Sequence, residues 1–289
     1  MAEILITGGA GNFGRTLANA LREKEHGLRI FDLPSCDFDY FDGWEQTRIF
    51  QGDILESTSL NEALHGVEMI FHLAAILPPA SEVDRERTFR INVEGTRNLV
   101  NACVSSGTTK RLVFASSVSV YGDTSQEKGL IGPEHPVNPN DWYAESKVEA
   151  EKIILESGLP QMNLRISGIV IPAFLDPPEP WPFTRDQRIE LLSLGDLVEA
   201  MVTLVGVESI SHNTLLIAGG QNWQVSGEDY VRRWGETMDI PMEDMEFQDR
   251  PGWLNWYDTS ESQKLLNYQK TSLDDFFKEL EKAVEEALA

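Results

Sequence analysis

The chain has 289 residues, 41% of them hydrophobic, and 24 Lys plus Arg against 47 Asp plus Glu give a formal charge of −23. That supplies the core of one large α/β domain, or of one domain and a smaller lobe. The acidity argues against nucleic acid and anionic membrane surfaces as partners, because their phosphates would be repelled.

Apolar runs such as 69–77 fall short of the ~20 residues a membrane helix requires. Met1 leads straight into a buried-type strand, so no signal peptide is expected. Cys36 and Cys103 are the two cysteines; free, structural thiols in a reducing, cytoplasmic compartment are expected. The histidines lack metal-ligand spacing, so no metal site is expected.

Glu3–Thr7 reads as a buried strand ended by Gly8, and Phe13, Leu17, Ala20 and Leu21 then recur at helical spacing. Strands are expected at 28–31, closing on Asp32, at 48–51, closing on Gly52-Asp53, and at 69–73 and 111–116. Ser59-Leu-Asn-Glu62 has the form of a capping box. Helices follow over 88–106 and 142–156, then a strand over 162–166. Strands alternating with helices imply a doubly wound parallel sheet of the Rossmann type.

After Ile171 the character changes. Five prolines between Pro172 and Pro182 exclude a helix or a central strand there. Asp196-Leu-Val-Glu199 is a second capping-box pattern, 214–218 a returning strand, and Ser226 a helix cap. Leu273, Phe276, Phe277, Leu280, Val284 and Leu288 mark a final amphipathic helix. The expected organisation is a dinucleotide-binding domain over 1–171, with returning segments near 189–220, and a small substrate-binding lobe over 172–289.

Gly8, Gly11 and Gly14 form a G-x-x-G-x-x-G run at a strand-to-helix turn, where main-chain N–H groups and the helix end meet a pyrophosphate. Asp32 stands where a carboxylate accepts the adenosine ribose hydroxyls. No Arg or Lys lies among residues 33–47 to offset it against a 2′-phosphate, so NAD is expected rather than NADP. Asp53 and Ile54 are placed at the adenine edge, and Leu73-Ala74-Ala75 at a turn with small side chains that a cofactor can pass.

Tyr143 and Lys147 are i and i+4 on one helix and project from one face. The adjacent ammonium is expected to lower the phenol's pKa from its free value of ~10, making it a base. Lys147 also reaches the nicotinamide ribose, and Ser117, at a strand end, bonds the substrate oxygen.

Taken together, Thr7-Gly-Gly-Ala-Gly-Asn-Phe-Gly14, Asp32, Gly52-Asp53-Ile54, His72-Leu-Ala-Ala75, Asn92-Val-Glu-Gly-Thr96, Ser116-Ser-Val-Ser-Val-Tyr-Gly122, Tyr143 with Lys147, and Leu164-Arg-Ile-Ser167 run in the order of an extended short-chain dehydrogenase/reductase. The chain resembles that family, which includes NAD-dependent epimerases, dehydratases and reductases. The resemblance implies Ser117, Tyr143 and Lys147 as catalytic residues. It also implies cofactor contacts from Gly8, Gly11, Asn12, Phe13, Gly14, Asp32, Asp53, Ile54, Leu73, Ala74, Ala75, Asn92, Ser116, Tyr143 and Lys147. A homodimer formed through the 88–106 and 142–156 helices is implied as well.

The pattern departs from the family at two places. Val118 and Ser119 replace the Asp-Glu pair of sugar dehydratases, and Gly168 replaces the Asn that binds a nucleotide diphosphate in the epimerases. Arg185 and Arg188 are candidates for a substrate anion, and Trp142, Trp181, Phe183 and Trp253 for an apolar wall. The reading favoured is a dehydrogenase/reductase acting on the secondary alcohol or carbonyl of a small sugar-like or hydroxy substrate. The alternatives are an NAD-retaining sugar epimerase and a non-catalytic NAD-binding sensor.

Overall fold

The computed structural model describes residues 2–208 and 213–289. The chain forms two compact units. One comprises Met1–Val120, Pro139–Leu164 and Met201–Thr214, the other Tyr121–Asn138, Arg165–Ala200 and Leu215–Ala289. This partition differs from the expected boundary at 171/172, chiefly because 121–138 belongs to the second unit. Long-range bonds hold it there: Asn255 Nδ2 donates to Thr124 O at 2.7 Å, across 131 residues of sequence, and Ile131 N–H to Trp256 O at 2.9 Å. No local sequence pattern records such pairings.

The elements in chain order begin with β1 (Glu3–Thr7), α1 (Asn12–Glu23), β2 (Gly27–Asp32), β3 (Thr47–Gln51), α2 (Ser57–Leu64) and β4 (Met69–His72). Next come α3 (Arg85–Phe89), α4 (Gly95–Ser106), β5 (Arg111–Ser117), α5 (Trp142–Glu156) and β6 (Gln161–Ile166). The main sheet has seven strands in the order β3-β2-β1-β4-β5-β6, completed by β9 (Thr214–Ile217). β1 runs parallel to β2 and β4, β2 to β3, and β4 to β5. The strand order therefore turns between β1 and β4, the place where a doubly wound sheet opens a ligand crevice at its carboxyl edge.

Ile4, Leu5 and Ile6 are fully buried, as expected of a parallel strand covered on both faces. One core joins Leu5, Ile70, Leu112 and Phe114 of the sheet to Leu60, Leu64, Leu99, Cys103 and Ile154 of the helices. The expected helix over 88–106 starts earlier, after Asp84, whose carboxylate accepts the Arg87 N–H. A π-helical turn at Arg90–Glu94 interrupts it.

In the second unit, β7 (Gly168–Val170), β8 (Arg188–Ser193) and β10 (Gln224–Ser226) form a small sheet in the order β10-β8-β7. Its other elements are α6 (Leu194–Val205), α7 (Gly227–Met238), α8 (Ser260–Leu266) and α9 (Leu273–Leu288). Strands as short as β7 and β10 show no usable alternation, which is why periodicity does not find them. Trp181, Phe183, Trp223, Tyr230, Trp234, Phe276 and Phe277 share one core. Trp181 and Phe183 are 6% and 2% exposed, so they are packing residues and not the expected pocket wall; Trp253 packs against the same core.

Ser226 caps α7 through the Asp229 N–H as expected. The two capping boxes are not caps. α2 starts at Ser57, and Ser59 Oγ instead donates to Glu56 O. α6 starts at Leu194, and Asp196 turns away from its own helix to accept Lys270 N–H (3.1 Å), Thr271 N–H (3.1 Å) and the Thr271 hydroxyl (2.9 Å).

That carboxylate is 2% exposed and ties the segment entering α9. Asp196→Ala strands the Thr271 donors and is expected to lower unfolding free energy by about 2–3 kcal/mol, measured by urea denaturation. Asp196→Asn, which keeps acceptor oxygen, should lose less. Equal stability of wild type and Asp196→Ala would remove the latch.

Candidate active site

The turn between β1 and α1 is a cradle that only small residues can line. Gly8 has φ +71°, and a Cβ there would lie 2.8 Å from Ala74 N. A Cβ on Gly14 would collide with the Gly8 carbonyl oxygen, so the helix can pack this closely on the loop only with glycine. α1 begins after Gly11 with no side-chain cap, and the first helical bond is donated by Arg15 N–H to Gly11 O. The N–H groups of Asn12, Phe13 and Gly14 precede that bond and are left for an anion. A close main-chain approach combined with uncommitted N–H donors is what a pyrophosphate requires, so the residues present fit a dinucleotide.

Asp32 closes β2 and accepts Ala10 N–H at 3.0 Å and Leu33 N–H at 2.9 Å. Each oxygen keeps acceptor capacity for a ribose hydroxyl. Asp53 accepts Leu55 N–H at 2.9 Å. The Ile54 side chain is buried beneath Gly95, so only its main chain can face a nucleotide edge. Leu73, Ala74 and Ala75 are half-buried beside Gly8.

Asn92 lies in the π-helical turn, and its amide is already engaged. It accepts Ile76 N–H (2.7 Å) and donates to Ile76 O (3.1 Å) and Ser146 Oγ (3.0 Å). What it does is fix the loop after β4 against α5.

Two carboxylates build the amino end of α5. Asp141 caps the helix by accepting Ala144 N–H at 2.6 Å, while Glu82 accepts Trp142 N–H at 3.0 Å and Tyr143 N–H at 2.9 Å. This sets Tyr143 against the end of β5, where the Ser117 hydroxyl acts on its phenol. Ser117 Oγ accepts Ser119 N–H at 3.1 Å, and its own proton remains available to donate. Lys147, one turn on and 2% exposed, donates to Ala115 O at 2.7 Å and lies 5.5 Å from the Tyr143 ring centroid. Ser116 donates to Glu151, one turn beyond Lys147 on α5, at 2.5 Å. The structure thus brings Ser117, Tyr143 and Lys147 together at the carboxyl edge, on the strand two places from the glycine turn.

The electrostatics reverse one expectation. Burial, reinforced by the Asp141 charge, pushes the Tyr143 phenol well above its ordinary value, with the Ser117 hydroxyl opposing. Burial likewise pulls the Lys147 ammonium down to about 7, against the pull of Glu151. Within the protein's own groups, then, the amine does not acidify the phenol, because both are desolvated and each prefers its neutral form.

Residues 5–165 match the 3-beta hydroxysteroid dehydrogenase/isomerase family. The chain belongs to that family. The match contains the glycine turn, Asp32, Ser117, Tyr143 and Lys147, and it bears out the short-chain dehydrogenase/reductase resemblance. Among curated relatives, a 3-beta-hydroxysteroid dehydrogenase of Mycolicibacterium neoaurum is 34% identical over 179 residues, 58% of this chain and 48% of the relative. The human sterol-4-alpha-carboxylate 3-dehydrogenase, decarboxylating, is 24% identical over 244 residues, 79% of this chain and 63% of the relative. The chain spans about half to two thirds of the length of these relatives.

Solved structures share the fold along both chains. A short-chain dehydrogenase/reductase superfamily protein from Agrobacterium tumefaciens with bound NAD has TM-score 0.80 at 22% identity, covering 99% of this chain and 98% of its own. UDP-glucuronic acid 4-epimerase from Bacillus cereus, in complex with NAD, has TM-score 0.80 at 20% identity, covering 98% and 97%.

The remaining substrate candidates are accounted for locally. Trp142 is half-buried at the start of α5. Arg185 is exposed, pairs with Glu228 at 3.2 Å and lies 4.5 Å from the Phe247 ring centroid. Arg188 stacks 4.2 Å from the Trp256 centroid and gives Nη1 and Nη2 to the carbonyls of Glu127, Lys128 and Gly129. Its guanidinium organises the second unit's own loops. Sequence reading missed Glu82, which reaches α5 across 60 residues and carries no local signal. It quoted His72 in the His72-Leu-Ala-Ala75 run but gave it no role, although that histidine closes β4 beside the cradle.

In this family member His72 is bonded to the hydroxyls of Thr7 (2.7 Å) and Thr96 (2.8 Å). Burial, then the Lys147 charge, pushes its pKa down to about 3 from 6.5. Between those values the unfolded chain takes a proton that the native imidazole refuses, so stability falls as pH drops below about 6.5. The expected loss from this group is about 1.4 kcal/mol between about pH 8 and 5.5. Urea unfolding at the two pH values checks it, and His72→Gln should flatten the slope. Identical slopes would refute the assignment.

Proposed function

We propose that this protein is an NAD-dependent dehydrogenase/reductase that interconverts a secondary alcohol and its ketone. Tyr143 exchanges the proton, Ser117 holds the reacting oxygen, and Lys147 completes the site. The observation that carries this reading is the convergence of Ser117, Tyr143 and Lys147 at the carboxyl edge, where Lys147 donates to Ala115 O and lies 5.5 Å from the Tyr143 ring centroid. The glycine cradle and Asp32 supply the dinucleotide side. The relatives named for the family are hydroxysteroid and sterol dehydrogenases, whose shared chemistry is oxidation of a secondary ring alcohol. A ring carbon bearing a hydroxyl is accordingly the substrate group proposed here.

NAD, when bound, supplies the hydride acceptor and a positive charge beside the phenol. Every proton step belongs to the chain. In the reducing direction a neutral Tyr143, which burial favours at neutral pH, donates its proton to the carbonyl oxygen as the carbon is reduced. In the oxidising direction the phenol must first lose its proton, so that the phenolate can accept the hydroxyl hydrogen. Ser117 directs a hydrogen bond at the same oxygen and stabilises the charge that develops there. Lys147, near neutrality at about 7, is able to hold or release a proton behind the phenol.

Sequence similarity favours net redox turnover over the epimerase alternative, because the relatives at 34% and 24% identity are named as dehydrogenases, whereas the epimerase likeness at 20% shows fold alone. Steady absorbance change at 340 nm with a panel of ring alcohols and ketones separates the readings: accumulation or loss of NADH supports the dehydrogenase. Bound cofactor with no net change would favour the epimerase.

Tyr143→Phe is expected to cut turnover by about 10²–10⁴-fold while retaining NADH binding; undiminished turnover would overturn the proton assignment. The oxidation rate should rise with pH as the phenol ionises, and the reduction rate should fall over the same range. Parallel pH profiles in the two directions would contradict the proton steps described.

A further inference from the structure

The stretch 33–47 contains no base, but the fold brings one to it from α1. Arg15 Nε donates to Ala10 O at 2.8 Å, and Ala10 N–H is the group that holds Asp32 at 3.0 Å. Arg15 Nη2 donates to the main-chain carbonyl of Asp37 at 2.5 Å and to its carboxylate at 3.0 Å. The guanidinium lies 5.3 Å from the Tyr40 ring centroid. The Cys36 thiol lies within reach of both charges, since Asp32 raises its pKa and Arg15 lowers it. Asp32, Arg15 and Asp37 therefore surround one rim of the cradle, the rim at the ribose-binding carboxylate.

A guanidinium there is the group a 2′-phosphate would seek, since its planar donors match phosphate oxygens. Asp37 neutralises it. We propose that Asp37 is a cofactor-selecting residue: by pairing with Arg15 it closes a latent 2′-phosphate site and, together with Asp32, confines the cradle to the dinucleotide without that phosphate. This rests on the NAD reading above and extends it to residues the β2-end acid alone does not cover.

The three charges sum to −1. Asp37→Asn brings the sum to zero, and the carbonyls of Ala10 and Asp37 still hold the guanidinium in place. The freed cation then faces the ligand. Arg15 and Asp37 side chains are 24% and 60% exposed, so the ligand can reach them and solvent moderates the effect.

The test is direct binding, read by dihydronicotinamide fluorescence with NADH and NADPH, on wild type, Asp37→Asn and the double variant Arg15→Gln, Asp37→Asn. Asp37→Asn should lower the ratio Kd(NADPH)/Kd(NADH) by about five- to tenfold. The gain should shrink as salt is raised from about 50 to about 500 mM, and the double variant should return to the wild-type ratio. A ratio within about twofold of wild type in Asp37→Asn, beside normal NADH binding by the wild type, overturns this inference alone. So does a gain that survives loss of Arg15. A wild type that binds neither dinucleotide overturns the cofactor reading and this inference with it.

Discussion

The amino end of α5 is where the chemistry of this chain is decided. Asp141 and Glu82 between them take the N–H groups of Trp142, Tyr143 and Ala144, donors that every helix start leaves unpaired. Two carboxylates at the positive end of a helix dipole are well placed electrostatically. Their geometric consequence matters more. With those three donors fixed, Tyr143 has one direction to face, and it meets Ser117 at the end of β5. Lys147 follows one turn later, with no further freedom.

The same arrangement explains why the phenol is not a base in advance. Asp141 steadies the helix and at the same time discourages ionisation of Tyr143, and burial acts in the same sense. Lys147 is too deeply desolvated to offset this, and its contact with Ala115 O fixes its position more than its charge. Burial and the Asp141 charge both favour the neutral phenol, beside an amine whose pKa burial lowers to about 7. For the function proposed above, this would suit carbonyl reduction directly, and alcohol oxidation would depend on positive charge arriving with the cofactor.

Much of the first unit was legible in the residues themselves. β1 and α5 match their expected bounds, and for β1 the run of branched apolar residues is itself a local signal. The glycine turn was legible for a related reason: absence of side chains at Gly8 and Gly14 is itself the message, as their blocked Cβ positions show. Capping boxes misled, since Ser59 and Asp196 have the right spacing and a different partner. Trp181 and Phe183 misled too. Composition says that an aromatic is present, and only packing says whether it lines a pocket or fills a core.

By itself, the amino-acid sequence determined the alternation of strands and helices, the cradle for a dinucleotide, the acid at the end of β2, and the trio Ser117, Tyr143 and Lys147. Each is a matter of residue type at short spacing. The tertiary structure alone decided which charges act on that trio and on that acid. Glu82 reaches α5 across 60 residues and Arg15 reaches Asp37 across 22. Coulombic and desolvation effects depend on distance through space and on exclusion of water, and neither quantity is written along the chain.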